Sequence, residues 1–385
     1  MSVSNTSQKI TGKNLAYSGR DGTYLPTLDG WRSIAILIVL YGHGVDGITH
    51  FFARVGLGTG LDPNSAHQFG LLGVKIFFGI SGLLITSRLI ADQQKRGKIN
   101  LRFFYIRRVY RILPASILFL VGVGLLGYME FINISLGRWL SSLLFFANYS
   151  TATGSYYVGH FWSLAVEEHF YLIWPAAFLF LNSNKKRLFF CVCFTVFIAL
   201  WRAIDFKYRF TWSEGGAGFF WGRTDIVADG LLWGCAFALV YADRVWKKRI
   251  NNFISLPGVL IFITLTVIMI QVLSFQDWKI RFVLLTIQAA CIPIMLLGTI
   301  ANNSKYPSRI LESKIFIWIG RISYSLYLWQ QVFLVWTDSV SIKLSFVQTF
   351  PINVMFAFLF AYVSYRFIET PLIALGHRIT KTTSQ

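Results

Sequence analysis

The chain has little charge. Only 14% of its 385 residues are Asp, Glu, Lys or Arg, where a soluble domain carries about 25%. Acidic side chains are the scarcest, 17 against 36 Lys and Arg, for a formal net charge of +19. With 55% hydrophobic residues and a mean hydropathy of +0.55, this excludes an ordinary soluble fold. Cysteine is nearly absent. Cys191, Cys193, Cys235 and Cys291 all fall in apolar runs, without the spacing of a zinc site. Cys191 and Cys193 would point about 200° apart on a helix, which argues against a shared metal or a disulfide. They read as small buried hydrophobes, and no metal is expected. The residues before Trp31 lack the basic, apolar and small-residue segments of a signal peptide, so the first span is expected to stay as an anchor. Internal repeats and low-complexity linkers are also missing. The surplus of positive charge reads as anchoring beside a membrane, and no nucleic-acid partner is expected.

Long apolar runs are what the chain does have. They lie at roughly 31–51, 70–91, 109–131, 160–181, 187–204, 223–242, 253–274, 280–300, 314–336 and 350–373. Each is about the length a spanning helix needs, roughly 20 residues. The stretch 140–148 is apolar but too short, and reads as re-entrant or interfacial. With the N-tail placed inside and alternation thereafter, 26 Lys and Arg fall inside and nine outside, leaving Lys75 within a span. That asymmetry predicts an all-α polytopic bundle of about ten transmembrane helices with both termini cytoplasmic. The expected division is a polar tail over 1–28, a membrane domain over 29–375 and a second tail over 376–385.

Polar residues inside these runs are costly and point to function. Arg32 opens the first run and His43 follows eleven residues later, three turns plus about 20° on, so both share a face. The rise of about 16 Å puts Arg32 at an interface and His43 near the midplane, facing a cavity reached from inside. Arg107, Arg108 and Arg111 open the third span, with Arg107 and Arg111 at i, i+4. Three guanidiniums there suit phosphate, although positive-inside anchoring also accounts for basic residues at that place. Lys75 and Ser81 lie in the second span; Lys75 is expected to snorkel or to pair with a carboxylate. In the fourth span His160, Ser163 and Glu167 fall on one face, with Glu168 beside them. Two carboxylates at that depth need partners, for which His43 and Lys75 are candidates. Arg223 and Asp225, with Asp229 one turn on, either line an outward vestibule or tie helix ends together.

In order, these strings resemble the acyltransferase-three family of multi-spanning bacterial O-acyltransferases. The resemblance rests on the Leu-Asp-Gly-x-Arg start at 28–32, the Arg32-to-His43 spacing and Phe-Phe-x-x-Ser-Gly at 77–82. It continues through Arg107-Arg108-x-x-Arg111, Trp-Ser-Leu-x-x-Glu-Glu at 162–168, Arg223-x-Asp225, Tyr-Ser-x-Tyr-Leu-Trp at 324–329 and Glu369-x-Pro371. Two positions depart from it. Many members have His where this chain has Gln330, and an acidic residue where it has Lys75. The hydrolase-like domain fused to some members is not expected here.

The resemblance implies transfer of an acyl group, often acetyl, from cytoplasmic acyl-CoA to a hydroxyl of a cell-surface or lipid-linked glycan, in a bacterial inner membrane. On that reading Arg32, Arg107, Arg108 and Arg111 hold the acyl-CoA phosphates, and His43 is the general base. Glu167 or Glu168 orients the imidazole, and Ser163 donates to the oxyanion. Asp225, Arg223, His160 and Ser81 are expected to contact the acceptor. Membrane lipids surround the chain, and a homo-oligomer is compatible with it. The competing function class is a transporter or flippase for a lipid-linked glycan, which buried carboxylates and a midplane His would also serve.

Overall fold

The computed structural model describes residues 25–97, 99–150, 156–208, 222–273, 278–301, 306–336 and 341–382. Among the described residues all regular structure is helical, in a polytopic bundle. Residues 1–24, most of the expected N-terminal tail, and 383–385 lie outside them, as does Arg209. The main rods are α1 (Pro26–Arg54), α2 (Pro63–Arg96), α3 (Leu101–Tyr128), the short α4 (Leu136–Leu143), α5 (Phe161–Phe180) and α6 (Asn184–Tyr208). Then come the one-turn α7 (Thr224–Val227), α8 (Asp229–Ala242), α9 (Arg244–Ser255), α10 (Val259–Leu273), α11 (Trp278–Ala301) and α12 (Tyr306–Leu311). The chain closes with α13 (Lys314–Phe333), the one-turn α14 (Ser345–Gln348), α15 (Ile352–Ser364), a π-helical turn over 365–369, and α16 (Thr370–Thr382).

Among the described residues six helices are long and apolar enough to cross a membrane, seven if α9 and α10, bent by 84°, count as one span. α5 and α13 lie on expected spans but turn polar residues inward, and α8 has only 14 residues. Boundaries also move. The third span begins at Leu101, eight residues before the apolar run, because Asn100 caps the helix by accepting from the Phe103 amide. The arginines that follow are good helix formers, whose stems lie along apolar surface. The expected 253–274 run is split at 256–258, where Gly258 adopts φ +81°. The expected 223–242 run is divided at Ala228 into α7 and α8. The 140–148 stretch holds the end of α4, tied to α3 by the Trp139 indole donating to the Leu120 carbonyl at 2.8 Å.

α2 is the mast of the bundle: 72% of its apolar window is buried, against 28% for α6. Asp62 caps it, accepting from the Asn64 and Ser65 amides, and Pro63 opens it. It packs against α1 where Gly73 meets the Ala35 carbonyl; a Cβ there would lie 2.3 Å from that oxygen. Against α8, a Cβ on Gly82 would lie 2.0 Å from the Leu231 carbonyl. Small residues allow backbone contact that side chains would prevent. Lys75 donates to Gln271 and Gln288 at 2.9 and 2.7 Å, so side-chain amides of α10 and α11 solvate the ammonium within the bundle. Cys191 is buried as expected, but Cys193 is exposed and Cys291 half-buried, so not all four cysteines are buried hydrophobes; Cys193 points away from Cys191 on the same helix.

Candidate active site

At the end of the bundle where α1 and α3 begin, five helices line an open-mouthed cavity of about 100 Å³. α1 contributes Arg32, α2 Ser81 and Arg88, and α3 Arg108 and Arg111. α5 adds Ser163, Glu167, Glu168 and Tyr171, and α13 adds Ser323, Tyr324 and Tyr327. The α3 start delivers two guanidiniums because Arg108 and Arg111 are only about 60° apart around the helix. The Arg108 guanidinium stacks 3.8 Å above the Tyr171 ring. Arg107 is absent from the cavity wall and pairs with Asp92 at 3.6 Å. Arg32 lines the cavity and also approaches Asp29 at 3.6 Å.

Glu167 sits in a closed triangle. Ser81 Oγ donates to Oε1 at 2.9 Å, and the Tyr171 hydroxyl lies 2.8 Å from Oε2 and 2.9 Å from Ser81 Oγ. The half-buried carboxylate is thereby satisfied, as a polar group withdrawn from water must be. One turn back along α5, Ser163 Oγ lies 2.5 Å from the Tyr327 hydroxyl. Both hydroxyls also reach the His160 carbonyl, at 3.1 and 3.3 Å. His160 is behind this pair, not in the cavity wall. Its ring packs on Phe119, Phe161 and Tyr327, and neither ring nitrogen has a hydrogen-bond partner.

His43 is close enough to His160 and Gln330 to interact electrostatically with both. Its ring meets His67 and Tyr156 edge-on at 5.5 and 6.3 Å. Nδ1 is buried without a partner, while the ring as a whole keeps accessible surface. The expected carboxylate partnership is not formed. Glu167 belongs to the Ser81–Tyr171 triangle, and Glu168 lies within charge range of Arg108. The reason is axial: Glu167 is seven residues, about 10 Å of helix rise, beyond His160, which sits at the level of His43. Gln330, whose Oε1 is buried without a partner, is the polar side chain of α13 facing the imidazole.

Arg223 and Asp225 are elsewhere. They form a bidentate pair at 2.9 and 3.1 Å, and Asp225 also accepts from Trp201 and Tyr149. Neither lines the cavity. With the buried Arg202–Asp229 pair at 2.5 Å, they join α6, α7 and α8, the arrangement of a helix-end network. Sequence reading missed Arg88, Tyr171, Tyr324, Tyr327 and His67. Spacing carried a signal for three of them. Arg88 is seven residues from Ser81, Tyr171 is four from Glu167, and Tyr327 is three from Tyr324, each returning to one face. Among the described residues no group of His, Cys, Asp and Glu is placed to hold a metal ion.

The family described as acyltransferase domain matches residues 25–366, nearly all of the helical bundle. The chain belongs to that family. It is 28% identical over 367 residues to the peptidoglycan O-acetyltransferase OatA of Listeria monocytogenes, covering 91% of this chain and 56% of that protein. It is 30% identical over 374 residues to the O-acetyltransferase OatA of Staphylococcus aureus, covering 92% of this chain and 58% of the relative. The chain thus spans somewhat more than half the length of these curated relatives. No solved structure matches it.

Proposed function

We propose that the chain transfers an acyl group, in the simplest case acetyl, from acyl-CoA bound in the arginine-lined cavity to a hydroxyl of a cell-surface glycan. The observation that carries this reading is the convergence of Arg32, Arg88, Arg108 and Arg111 on one hollow, more cation than anchoring needs. Guanidiniums bind phosphate oxygens bidentately, which suits a polyphosphorylated donor. The bias of Lys and Arg supports a cytoplasmic mouth in a bacterial inner membrane, on the side where acyl-CoA is made. The name of the Listeria relative, a peptidoglycan O-acetyltransferase, supports a glycan acceptor.

In the reaction the pantetheine arm runs from the arginines past Phe77 and Phe78 to the hydroxyl pair of Ser163 and Tyr327, all of which line the cavity. Either hydroxyl donates to the thioester oxygen as negative charge develops there. His43 takes the acceptor's hydroxyl proton while the new C–O bond forms, then hands it to the thiolate as the C–S bond breaks. The Gln330 amide fixes the imidazole tautomer by accepting from its N–H, the service a carboxylate performs in a triad. The test is detergent-purified full-length chain, labelled acetyl-CoA and peptidoglycan fragments. His43→Ala is expected to abolish transfer yet keep the wild-type thermal stabilisation by acetyl-CoA. Transfer at the wild-type rate by that variant would refute the mechanism.

A further inference from the structure

On the side of His43 away from the arginines, the chain assembles a different chemistry. His67, in the second turn of α2, meets the His43 ring edge-on at 5.5 Å. Trp336, three residues past the end of α13, meets His67 edge-on at 5.1 Å. Tyr156, just before α5, faces His43 and is anchored by its hydroxyl donating to the Leu334 carbonyl at 2.7 Å. Gln331 holds the same residue by donating to its backbone carbonyl at 2.7 Å. Asp46 is three residues along α1 from His43, within electrostatic range of Tyr156 and 3.7 Å from His50 Nδ1. His43, Asp46, His67, Tyr156 and Trp336 all keep accessible surface, whereas His160 on the inner side is buried. His67, like His43, has a buried Nδ1 with no hydrogen-bond partner.

We propose that Asp46, His67, Tyr156 and Trp336 form the acceptor subsite, and that it takes a pyranose ring of the glycan. A sugar presents an apolar C–H face and a rim of hydroxyls. Trp336 and Tyr156 supply aromatic surface for the face, each with a polar edge. Asp46 is an acceptor-only group for hydroxyl donors, and His67 offers a ring nitrogen as donor or acceptor. The two sides of His43 therefore differ in kind. One concentrates guanidiniums for a polyanion; the other joins aromatic surface to a carboxylate that would repel phosphate. The subsite gives the acyl-transfer reading its acceptor position, so its role in catalysis rests on that reading. Its binding chemistry does not.

The test is equilibrium dialysis of the purified full-length chain in nanodiscs without acetyl-CoA. Two tritiated probes are used: muramidase-released peptidoglycan fragments and an N-acetylglucosamine tetramer. Wild type is expected to bind at least one of them. Trp336→Ala and Asp46→Asn are expected to weaken that binding roughly tenfold or more, and His67→Gln to weaken it less, at unchanged melting temperatures. The proposal is overturned if neither probe binds at millimolar concentration, or if Trp336→Ala and Asp46→Asn bind within twofold of wild type. Acetyl-CoA binding is measured separately. Its absence beside variant-sensitive glycan binding sinks the donor reading and leaves the subsite standing; the reverse pattern sinks the subsite alone.

Discussion

Replacing Arg108 by Gln removes a guanidinium that faces the cavity and stacks 3.8 Å above Tyr171. If it holds a phosphate of the donor, the loss is one charge-assisted hydrogen bond, about 1.5–3 kcal/mol. That converts to a roughly 10- to 150-fold rise in the acetyl-CoA dissociation constant. The guanidinium holds the donor equally in the ground state and the transition state, so KM should rise and kcat should hold. The assay is initial transfer rate against acetyl-CoA concentration at fixed acceptor. Arg108→Lys should recover part of the loss, keeping the charge without the flat, two-pronged geometry. Because Tyr171 also bonds Ser81 and Glu167, Tyr171→Phe is run alongside to separate lost packing from lost phosphate contact. A KM within twofold of wild type, or a fall in kcat at unchanged KM, would refute the assignment of Arg108 to the donor.

Three further outcomes are expected. Tyr327→Phe removes a hydroxyl that bonds both Ser163 and the His160 carbonyl; kcat should drop about 100-fold, the loss seen when a transition-state donor is deleted, at unchanged acetyl-CoA KM. Gly82→Val drives a side chain into the Leu231 carbonyl and should cost about 1–3 kcal/mol or more, read as a lower melting temperature in detergent. Hydrogen bonds from Ser65, and then from the Asn64 amide, hold the exposed Asp62 carboxyl below its ordinary value. Its contribution is therefore complete above the unfolded value of about 3.9 and lost as pH falls through the lower folded value. The melting difference between wild type and Asp62→Ala should accordingly be present at pH 7 and close below about pH 4.

How legible the molecule was depended on whether a feature is local to one helix. Arg32, Ser81, Arg108, Arg111, Ser163, Glu167 and Glu168 announce themselves by being polar within apolar runs, and one cavity gathers them. The partner of each was harder, because partnership depends on axial level across helices. Glu167 and His43 seemed natural companions by charge, yet about 10 Å of rise along α5 separates that carboxylate from the level of His160. Arg107 shares a face with Arg111 by i, i+4 spacing, yet it turns to Asp92 while Arg111 lines the cavity. That choice follows from where α2 ends, which periodicity in α3 does not report. His67 was passed over because it precedes the apolar core of its run. Only folding brings it to a residue 24 positions earlier.

The hydroxyl pair of Ser163 and Tyr327 has a consequence beyond chemistry. An enzyme that accepts a substrate from each face of a membrane risks becoming a pore, draining the gradient its host depends on. Here the wall of the inner hollow includes two hydroxyls 2.5 Å apart, backed by the packed ring of His160. On the proposed reading this pair closes the path between donor and acceptor, and an arriving thioester parts it. Leakage and catalysis thus depend on the same few atoms, and a substitution that loosens them trades one against the other.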